Sequence, residues 1–191
     1  MSNILPSQSQ PAGAALSHLS DNVRRLRQAR QLSQQALADR SGLSRRMILS
    51  IENQSANVSL SNLDRLAAAL GISLSELIRP TDRPDNRRIE AVAWRGTTSE
   101  SQGMLLGTAP ATREAEMWLW SLGPGERYGS EAESGNWHEM LLVLEGRLTI
   151  EAASGRHEIA AGDFLIFSSA DPYVFANVGG ETVRFMRNVI L

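Results

Sequence analysis

Few side chains in this sequence are suited to covalent chemistry. The 191 residues include three histidines, His18, His138 and His157, and no cysteine. Thiolate nucleophiles, disulfides and thiolate metal sites are therefore excluded. The sequence contains no Ser/His/Asp arrangement, phosphate loop or dinucleotide fingerprint. These residue types favour binding over catalysis.

Two groups of side chains are suited to recognition. Arg45 and Arg46 are adjacent, and each guanidinium can donate two hydrogen bonds to N7 and O6 of guanine or bind a phosphate. Glu133, Glu139 and Tyr173, in the C-terminal half of the chain, offer two carboxylates and a phenol. If these side chains share one site, the two carboxylates would favour a cationic ligand such as an amino acid or an amine.

Charge divides the chain in the same way as these two groups. Residues 1–80 carry nine arginines and five acidic residues, whereas residues 81–191 carry ten arginines and sixteen acidic residues. A basic front half and an acidic back half predict two modules with different partners. No apolar run approaches the roughly 20 residues that span a bilayer, so we expect no membrane contact and a cytoplasmic location.

Apolar spacing predicts five helices over residues 18–78, after a disordered tail at 1–17 rich in Ser, Gln, Pro and Ala. Ser33 and Ser44 are placed to cap the second and third helices. Gly71 follows the fourth helix in the position where a left-handed residue is wanted, and Ser73 begins a capping box for the fifth. The short turn 41–43 between the second and third helices is typical of a helix-turn-helix.

Residues 26–44, 48–53 and 66–74 resemble the phage-repressor (XRE) family of helix-turn-helix proteins. The resemblance implies that the third helix lies in the major groove of double-stranded DNA, with Ile48 and Ile51 turned inward. It makes Arg45 and Arg46 the predicted base readers. The full predicted DNA-contact set is Gln34, Ser44, Arg45, Arg46, Ser50 and Asn53, with Gln34 and Asn53 assigned to the DNA backbone. Gln54 and Val58 depart from the family, which commonly has Gly and Pro there, so the loop after the third helix is predicted to differ in shape.

Residues 79–90 read as a linker, because two prolines and several charges interrupt all periodicity. Beyond it, residues 91–191 show about nine short strands separated by glycine-containing turns, which predicts an antiparallel sandwich or barrel. Trp118 and Trp120 share one face of their strand, and Met117 and Leu119 share the other. Apolar side chains on both faces predict a core or a dimer interface.

The motifs at 139–150, 161–167 and 171–177 resemble the cupin family. The predicted fold is therefore a two-domain α plus all-β protein, with a five-helix bundle followed by a cupin-like double-stranded β-barrel. The family usually holds a metal with three histidines and a glutamate. Those positions fall on Glu133, Gly135, Glu139 and Tyr173 here, so the resemblance implies no metal and no cofactor.

The same cavity is predicted to bind an organic ligand through Glu133, Glu139 and Tyr173. Two alternatives remain open: Glu133 is a solvated loop residue, and Glu139 is a strand-end acid paired with an arginine. The resulting prediction is a homodimeric transcriptional regulator whose small-molecule effector modulates DNA binding. The alternative from a different class is a metal-dependent cupin enzyme tethered to a DNA-binding head.

Overall fold

The structure is a computed structural model that describes residues 12–55, 58–80, 87–112, 114–132 and 138–190. Five helices come first and ten strands follow. The helices are α1 (Ala12–Ala29), α2 (Gln34–Ser41), α3 (Arg45–Glu52), α4 (Leu60–Leu70) and α5 (Leu74–Ile78). The strands are β1 (Ala91–Arg95), β2 (Gln102–Pro110), β3 (Glu114–Leu122), β4 (Arg127–Ser130), β5 (His138–Glu145), β6 (Arg147–Ala152), β7 (Gly155–Ala160), β8 (Phe164–Ser168), β9 (Tyr173–Ala176) and β10 (Val183–Ile190).

Serine hydroxyls begin four of the helices. Ser33, Ser44, Ser59 and Ser73 each accept a hydrogen bond from the backbone N–H three residues later, which satisfies one of the donors that a helix start leaves free. The caps predicted at Ser33, Ser44 and Ser73 are confirmed. Gly71 ends α4 in the left-handed conformation, with φ of 66°, as its position after the apolar stripe predicts.

A side chain of α4 stabilises the turn between α2 and α3 through hydrogen bonds. Gly42 takes φ of 65° there, and Arg65 of α4 donates hydrogen bonds to the carbonyl oxygens of Ser41 at 3.0 Å and Gly42 at 2.7 Å. A side chain at position 42 would collide with the Arg65 guanidinium. This turn therefore fixes the angle at which α3 leaves the bundle.

The strands form two antiparallel sheets that pack face to face. One has six strands in the order β1-β2-β3-β10-β5-β8, and the other has four in the order β4-β9-β6-β7. Aromatic rings fill the space between them, with Trp120 4.5 Å from Tyr128 and Phe185 5.1 Å from Phe175 between centroids. Trp118 and Trp120 are both buried in this core.

The predicted five-helix bundle followed by a β-rich, cupin-like domain is confirmed, but the double-stranded barrel is confirmed only in part. Among the described strands, no ladder joins one sheet to the other, so the two sheets form an open sandwich. The sequence also missed β4, which is only four residues long. At the N-terminus, α1 begins at Ala12, inside the segment 1–17 for which a disordered tail is predicted, and residues 1–11 lie outside the described part.

The helical bundle and the sandwich share one apolar core. Leu77 and Ile78 of α5 belong to the same buried cluster as Ile89, Ala91 and the sheet interior. Polar contacts also cross between the domains. Ser61 of α4 donates to the Glu131 carboxylate at 2.9 Å, and Ser75 of α5 donates to Glu114 of β3.

Candidate functional site

Helix α3 presents a basic surface at its N-terminal end. Arg45 and Arg46 are exposed there, whereas Ile48 and Ile51 are buried in the bundle. Leu43 and Met47 pack against the core, and Leu49 is 45% exposed. The helix is therefore oriented as the predicted DNA contact requires, with both guanidinium groups directed toward solvent.

The remaining predicted DNA-contact residues lie around the same helix. Ser44 is the N-cap of α3, and its hydroxyl accepts a hydrogen bond from Met47 N–H. Ser50 is half-buried, and Asn53 is the exposed residue that ends the helix. Gln34, at the start of α2, donates its side-chain amide to Glu52 at 3.0 Å. Their contacts with DNA stay predictions.

A buried carboxylate at the end of α3, which the sequence analysis did not single out, organises this surface. Glu52 is 3% exposed, and it accepts hydrogen bonds from Arg27 Nε at 2.6 Å and Arg27 Nη2 at 3.0 Å. Arg24 donates to the Glu52 carbonyl oxygen at 2.8 Å. Together with Gln34, these contacts tie α1 and α2 to α3. We call Glu52, Arg24, Arg27 and Gln34 the Glu52 cluster.

The pKa of the Glu52 carboxyl is lower than its usual value. Burial acts to raise this pKa, but the hydrogen bonds from Arg27 and Gln34 and the charges of Arg27 and Arg24 outweigh burial. The same hydrogen bond with Glu52 raises the pKa of Arg27, against a smaller opposing effect of burial. The cluster is thus charged on both sides at neutral pH.

The loop after α3 has the backbone shape that a glycine adopts easily. Gln54 takes φ of 58°, a left-handed conformation that costs a residue with a side chain roughly 1–2 kcal/mol. Val58 beyond it is buried. Gln54 therefore keeps the left-handed turn although it stands where the family commonly has Gly.

Inside the sandwich, a second buried cluster joins the two sheets. Glu139 of β5 is fully buried, and Arg187 of β10 donates to both of its carboxylate oxygens at 2.6 Å. Tyr173 of β9 donates its hydroxyl hydrogen to Glu139 at 2.7 Å and accepts from Arg187 at 2.9 Å. Because β9 belongs to the four-stranded sheet and the other two strands to the six-stranded sheet, these hydrogen bonds bridge the sandwich. We call these three residues the Glu139 cluster.

Burial and nearby charges shift the pKa values of three side chains inside the sandwich, those of Tyr173, Tyr128 and Arg187. Burial raises the pKa of the Tyr173 hydroxyl well above its usual value, and burial raises the pKa of Tyr128, on β4, to about 12. Burial alone would lower the pKa of Arg187, but the charge of Glu139 outweighs burial and holds that pKa well above its usual range. The guanidinium is therefore permanently charged, and both phenols stay neutral at physiological pH.

The structure brings Glu139 and Tyr173 together as the ligand prediction requires, and it adds Arg187. The pairing of Glu139 with an arginine is the alternative that the sequence left open. Glu133 lies outside the described residues. Alternation along β10 was a signal for Arg187, because Val183, Phe185 and Val189 are the other inward residues of that strand.

The buried donors do not fit the divalent metal that the cupin fold commonly holds. Glu139 falls at a metal-ligand position of the family, but both of its oxygens are engaged by Arg187. Tyr173 stands in place of a histidine, and its hydroxyl is engaged as well. Over the described residues, no three His, Cys, Asp or Glu side chains gather in a group that could hold a metal ion.

Two buried side-chain polar atoms of the sandwich, Trp120 Nε1 and Thr149 Oγ1, have no hydrogen-bond partner among the described residues. The Trp120 ring lies against Gly103, where a Cβ atom would come within 2.8 Å of the indole. A buried indole N–H without a partner is available to an acceptor atom of a ligand or a water molecule.

A basic helix-turn-helix joined to a cupin-like sandwich defines a class of two-domain transcriptional regulators. A family model described as helix-turn-helix matches residues 23–77, and one described as cupin domain matches residues 118–189. The chain belongs to the helix-turn-helix family of XRE type and is a DNA-binding transcriptional regulator that carries a cupin domain. No helix among the described residues is long and apolar enough to cross a membrane.

Individual relatives agree with this assignment. The chain is 26% identical over 164 residues to HTH-type transcriptional regulator PuuR of Escherichia coli, covering 84% of this chain and 88% of that protein. Control protein C.SmaI of Serratia marcescens is 47% identical over 60 residues, or 31% of this chain and 71% of the relative. The fold resembles the crystal structure of a helix-turn-helix family regulator from Vibrio cholerae, with a TM-score of 0.67 and 23% identity over 93% of this chain and 97% of that one.

Proposed function

We propose that this regulator binds a pseudo-palindromic operator as a homodimer and that a small molecule in its cupin domain modulates the binding. The observation that supports the DNA contact is the orientation of α3, which buries Ile48 and Ile51 and exposes Arg45 and Arg46 at the helix start. In this proposal, Arg45 and Arg46 read base edges, and Ser44, Ser50, Gln34 and Asn53 contribute base or phosphate contacts. The proposed location is the cytoplasm.

Charge supports the dimer. In residues 1–80, the arginines outnumber the acidic residues by four, which gives this half a net charge of +4. Affinity for duplex DNA grows with the number of phosphates that a protein neutralises. A dimer presents two such surfaces. Half-sites would then lie about 10 bp apart, or a multiple of that distance.

The proposed effector site adjoins the Glu139 cluster. Arg187 neutralises Glu139, so the expected preference for a cation now depends on Glu133 alone. The charges of the Glu139 cluster are paired with each other, so an effector beside the cluster would meet no net charge, which suits a neutral or zwitterionic molecule such as an amino acid better than a simple amine. Trp120 Nε1 supplies an unpaired donor in the same interior. An effector acts on DNA affinity only if it favours one dimer geometry over another.

The tethered-enzyme alternative gains no support from this interior. A metal-dependent cupin reaction needs protein side chains that are free to bind the metal. Glu139 and Tyr173, which stand at two of the family's metal-ligand positions, hydrogen-bond Arg187 instead. PuuR of Escherichia coli, which matches 84% of this chain, is named a transcriptional regulator.

The DNA contact is tested with a duplex recovered by selection from a randomised library. Replacing Arg45 by Ala is expected to cost about 1–3 kcal/mol of binding free energy on the selected duplex and to relax the preference at one base position. Arg147→Ala is the matched control, because Arg147 is an exposed arginine of β6, far from α3 in sequence. Equal losses on selected and random duplexes would make Arg45 a phosphate contact instead.

The effector site is tested by a thermal-shift screen of the full chain with amino acids, amines, organic acids and divalent metals, each with and without chelator. A shift with an amino acid that chelator does not change would support the proposal. A shift with metal alone that chelator abolishes would contradict it and favour a metal-dependent cupin.

A further inference from the structure

The six-stranded sheet has one face against the aromatic core and one turned to solvent, which we call the outer face. Nine large apolar side chains are exposed in the described part of the chain. Seven of them lie on the outer face: Met117, Met140, Leu142, Leu144, Phe164, Ile166 and Ile190. The other two are Leu49 on α3 and Val178 in a loop. Exposed apolar surface is thus concentrated on one side of the molecule.

These side chains form a continuous surface, because strand register places them side by side. One row runs across β3, β10, β5 and β8 as Met117, Asn188, Met140 and Ile166. The next row runs across the same strands as Leu119, Met186, Leu142 and Phe164. Asn188 is the polar member of the first row, whereas the second row is apolar across all four strands, a width of about 14 Å.

The exposed apolar area of this patch, together with its partly exposed neighbours, approaches what each partner of a standard dimer buries. At roughly 200 Å² for a fully exposed large side chain, the exposed fractions of the seven residues amount to about 600 Å². Partly exposed neighbours such as Leu119 and Met186 add to it. A standard interface buries about 800 Å² on each partner, whereas the largest apolar patch of a monomer is about 300–600 Å².

The two ends of the patch have complementary shapes. Phe164 and Ile166 project at the β8 end, where they are 64% and 54% exposed. At the β3 end, a recess of about 620 Å³ opens between the sheet and residues 87–90, with Met117, Met140 and Ile190 in its lining. With a projection at one end and a recess at the other, a two-fold axis can bring the projection of each copy onto the recess of its partner.

Charged groups at the border do not oppose such a contact. Arg184 and Glu145 pair at 3.2 Å at one end of the sheet, and Arg88 and Glu90 pair at 2.8 Å at the rim of the recess. Each of these charges therefore keeps an opposite charge within its own protomer. Burial of the patch leaves no isolated ion among these four groups.

We propose that the outer face is the interface with a second copy of this chain. The two-fold axis passes between β10 and β5, so that β8 of each copy lies over β3 of the other and Phe164 enters the recess beside the partner's Met117. The proposal rests on the proposed function in one respect, because it names the contact that joins the two DNA-binding heads. Arg87, Arg88 and Glu90 line the recess and belong to the segment between the two domains, so the contact also adjoins the chain that carries each head.

Sedimentation of the full chain over a range of concentrations tests the interface. The wild type is expected to be a dimer, and Leu142→Glu to raise the dissociation constant by about 100-fold or more, because the dimer would bury an unpaired charge. Val178→Glu is the matched control: it places the same charge at an exposed apolar residue off the outer face, and it should leave the dimer intact. Circular dichroism checks that both variants fold.

The outcomes separate this proposal from the proposed function. A dimer that persists in Leu142→Glu overturns the interface and leaves the dimeric regulator standing. A wild type that stays monomeric at tens of micromolar overturns both the interface and the dimer. Loss of binding to the selected duplex is measured separately, and it bears on the DNA-binding proposal alone.

Cysteine crosslinking gives a second test that does not depend on a destabilised dimer. Because the chain has no cysteine, a mixture of Phe164→Cys and Met117→Cys chains can form only disulfides between introduced residues. A rapid heterodimeric crosslink is expected. The Val178→Cys chain replaces Phe164→Cys as control, and crosslinking at an equal rate in that mixture would overturn the proposed arrangement.

Discussion

Both domains bury a carboxylate against arginine, but they do so at different depths. Glu52 and Glu139 are 3% and 0% exposed. The side chains of Arg27 and Arg24, beside Glu52, are 13% and 48% exposed, whereas that of Arg187, beside Glu139, is 6% exposed. The arginines that pair with Glu52 are thus partly exposed to solvent, whereas the arginine that pairs with Glu139 lies in the interior.

This difference separates two uses of the same chemistry. The Glu52 cluster joins three helices just behind the surface proposed to meet DNA, and water can replace part of any contact it loses. The Glu139 cluster joins two sheets, and water has no comparable access to it. A buried ion whose partner is removed keeps its full desolvation penalty, whereas one near the surface recovers part of it. The comparison predicts a graded series of effects.

The largest effect is expected from Arg187→Met, which leaves Glu139 buried without a cation. We expect the free energy of unfolding to fall by about 3–5 kcal/mol, measured by urea denaturation with tryptophan fluorescence. The double variant Arg187→Met/Glu139→Gln should regain much of this loss, because it removes the isolated charge. A loss below about 1 kcal/mol in the single variant would show that the interior is open to water.

Alkaline pH is expected to weaken the sandwich next. The pKa of Tyr128 is raised to about 12 in the folded protein and is about 10 in an unfolded chain. Only the unfolded chain therefore loses this proton between these values, and the contribution of Tyr128 to stability should fall by about 2–3 kcal/mol as pH rises from 10 to 12, with a further loss from Tyr173. Tyr128→Phe should show a shallower decline over the same range, and an identical slope would argue against the buried phenol as its cause.

A smaller loss is expected from Arg27→Met, about 1–2 kcal/mol at neutral pH, because Gln34, Arg24 and water remain near Glu52. Urea denaturation provides the measurement. The lowered pKa of Glu52 sets the sign of the pH dependence. Its stabilising contribution is present above the ordinary glutamate pKa and is lost as pH falls through the lowered value. The gap between wild type and variant should therefore narrow in acid, and a gap that widens would contradict the assignment.

The smallest effect is expected from Arg24→Ala, at or below about 1 kcal/mol. Arg24 Nε lies 3.9 Å from the Glu52 carboxylate, and about half of the side chain is exposed. Added salt should reduce the effect further, because exposed charges are screened. If Arg24→Ala lowers the free energy of unfolding as much as Arg27→Met does, solvent exposure does not determine how much each arginine contributes to the Glu52 cluster.

Local signals in the sequence predict much of the helical domain. Ser33, Ser44 and Ser73 are identifiable as caps because a cap and the N–H that it binds lie three residues apart. The orientation of α3 follows from Ile48 and Ile51 for the same reason. The Glu52 cluster escaped notice because Arg27 and Glu52 are separated by 25 residues, a distance over which periodicity gives no pairing.

The sandwich is less accessible to such reasoning. Strand positions follow from alternation and turns, but the partner of Glu139 lies 48 residues away, on β10. The order of strands in each sheet decides that pairing, and alternation alone does not specify the order. For a related reason, the sequence did not show that the two sheets stay unjoined, because ring packing between two sheets depends on residues from many strands at once.

The shared core of the two domains bears on how such regulators are recombined in evolution and in engineering. Ile78 of α5 and Ile89 and Ala91 at the start of the sandwich belong to a single buried cluster. A chimaera that joined this DNA-binding head to an unrelated sensor would expose those side chains and leave the Ser75 and Ser61 hydroxyls without their acceptors on the sandwich. Recombination at the linker would therefore succeed only if the residues on both sides of this interface between the helical bundle and the sandwich were transferred together.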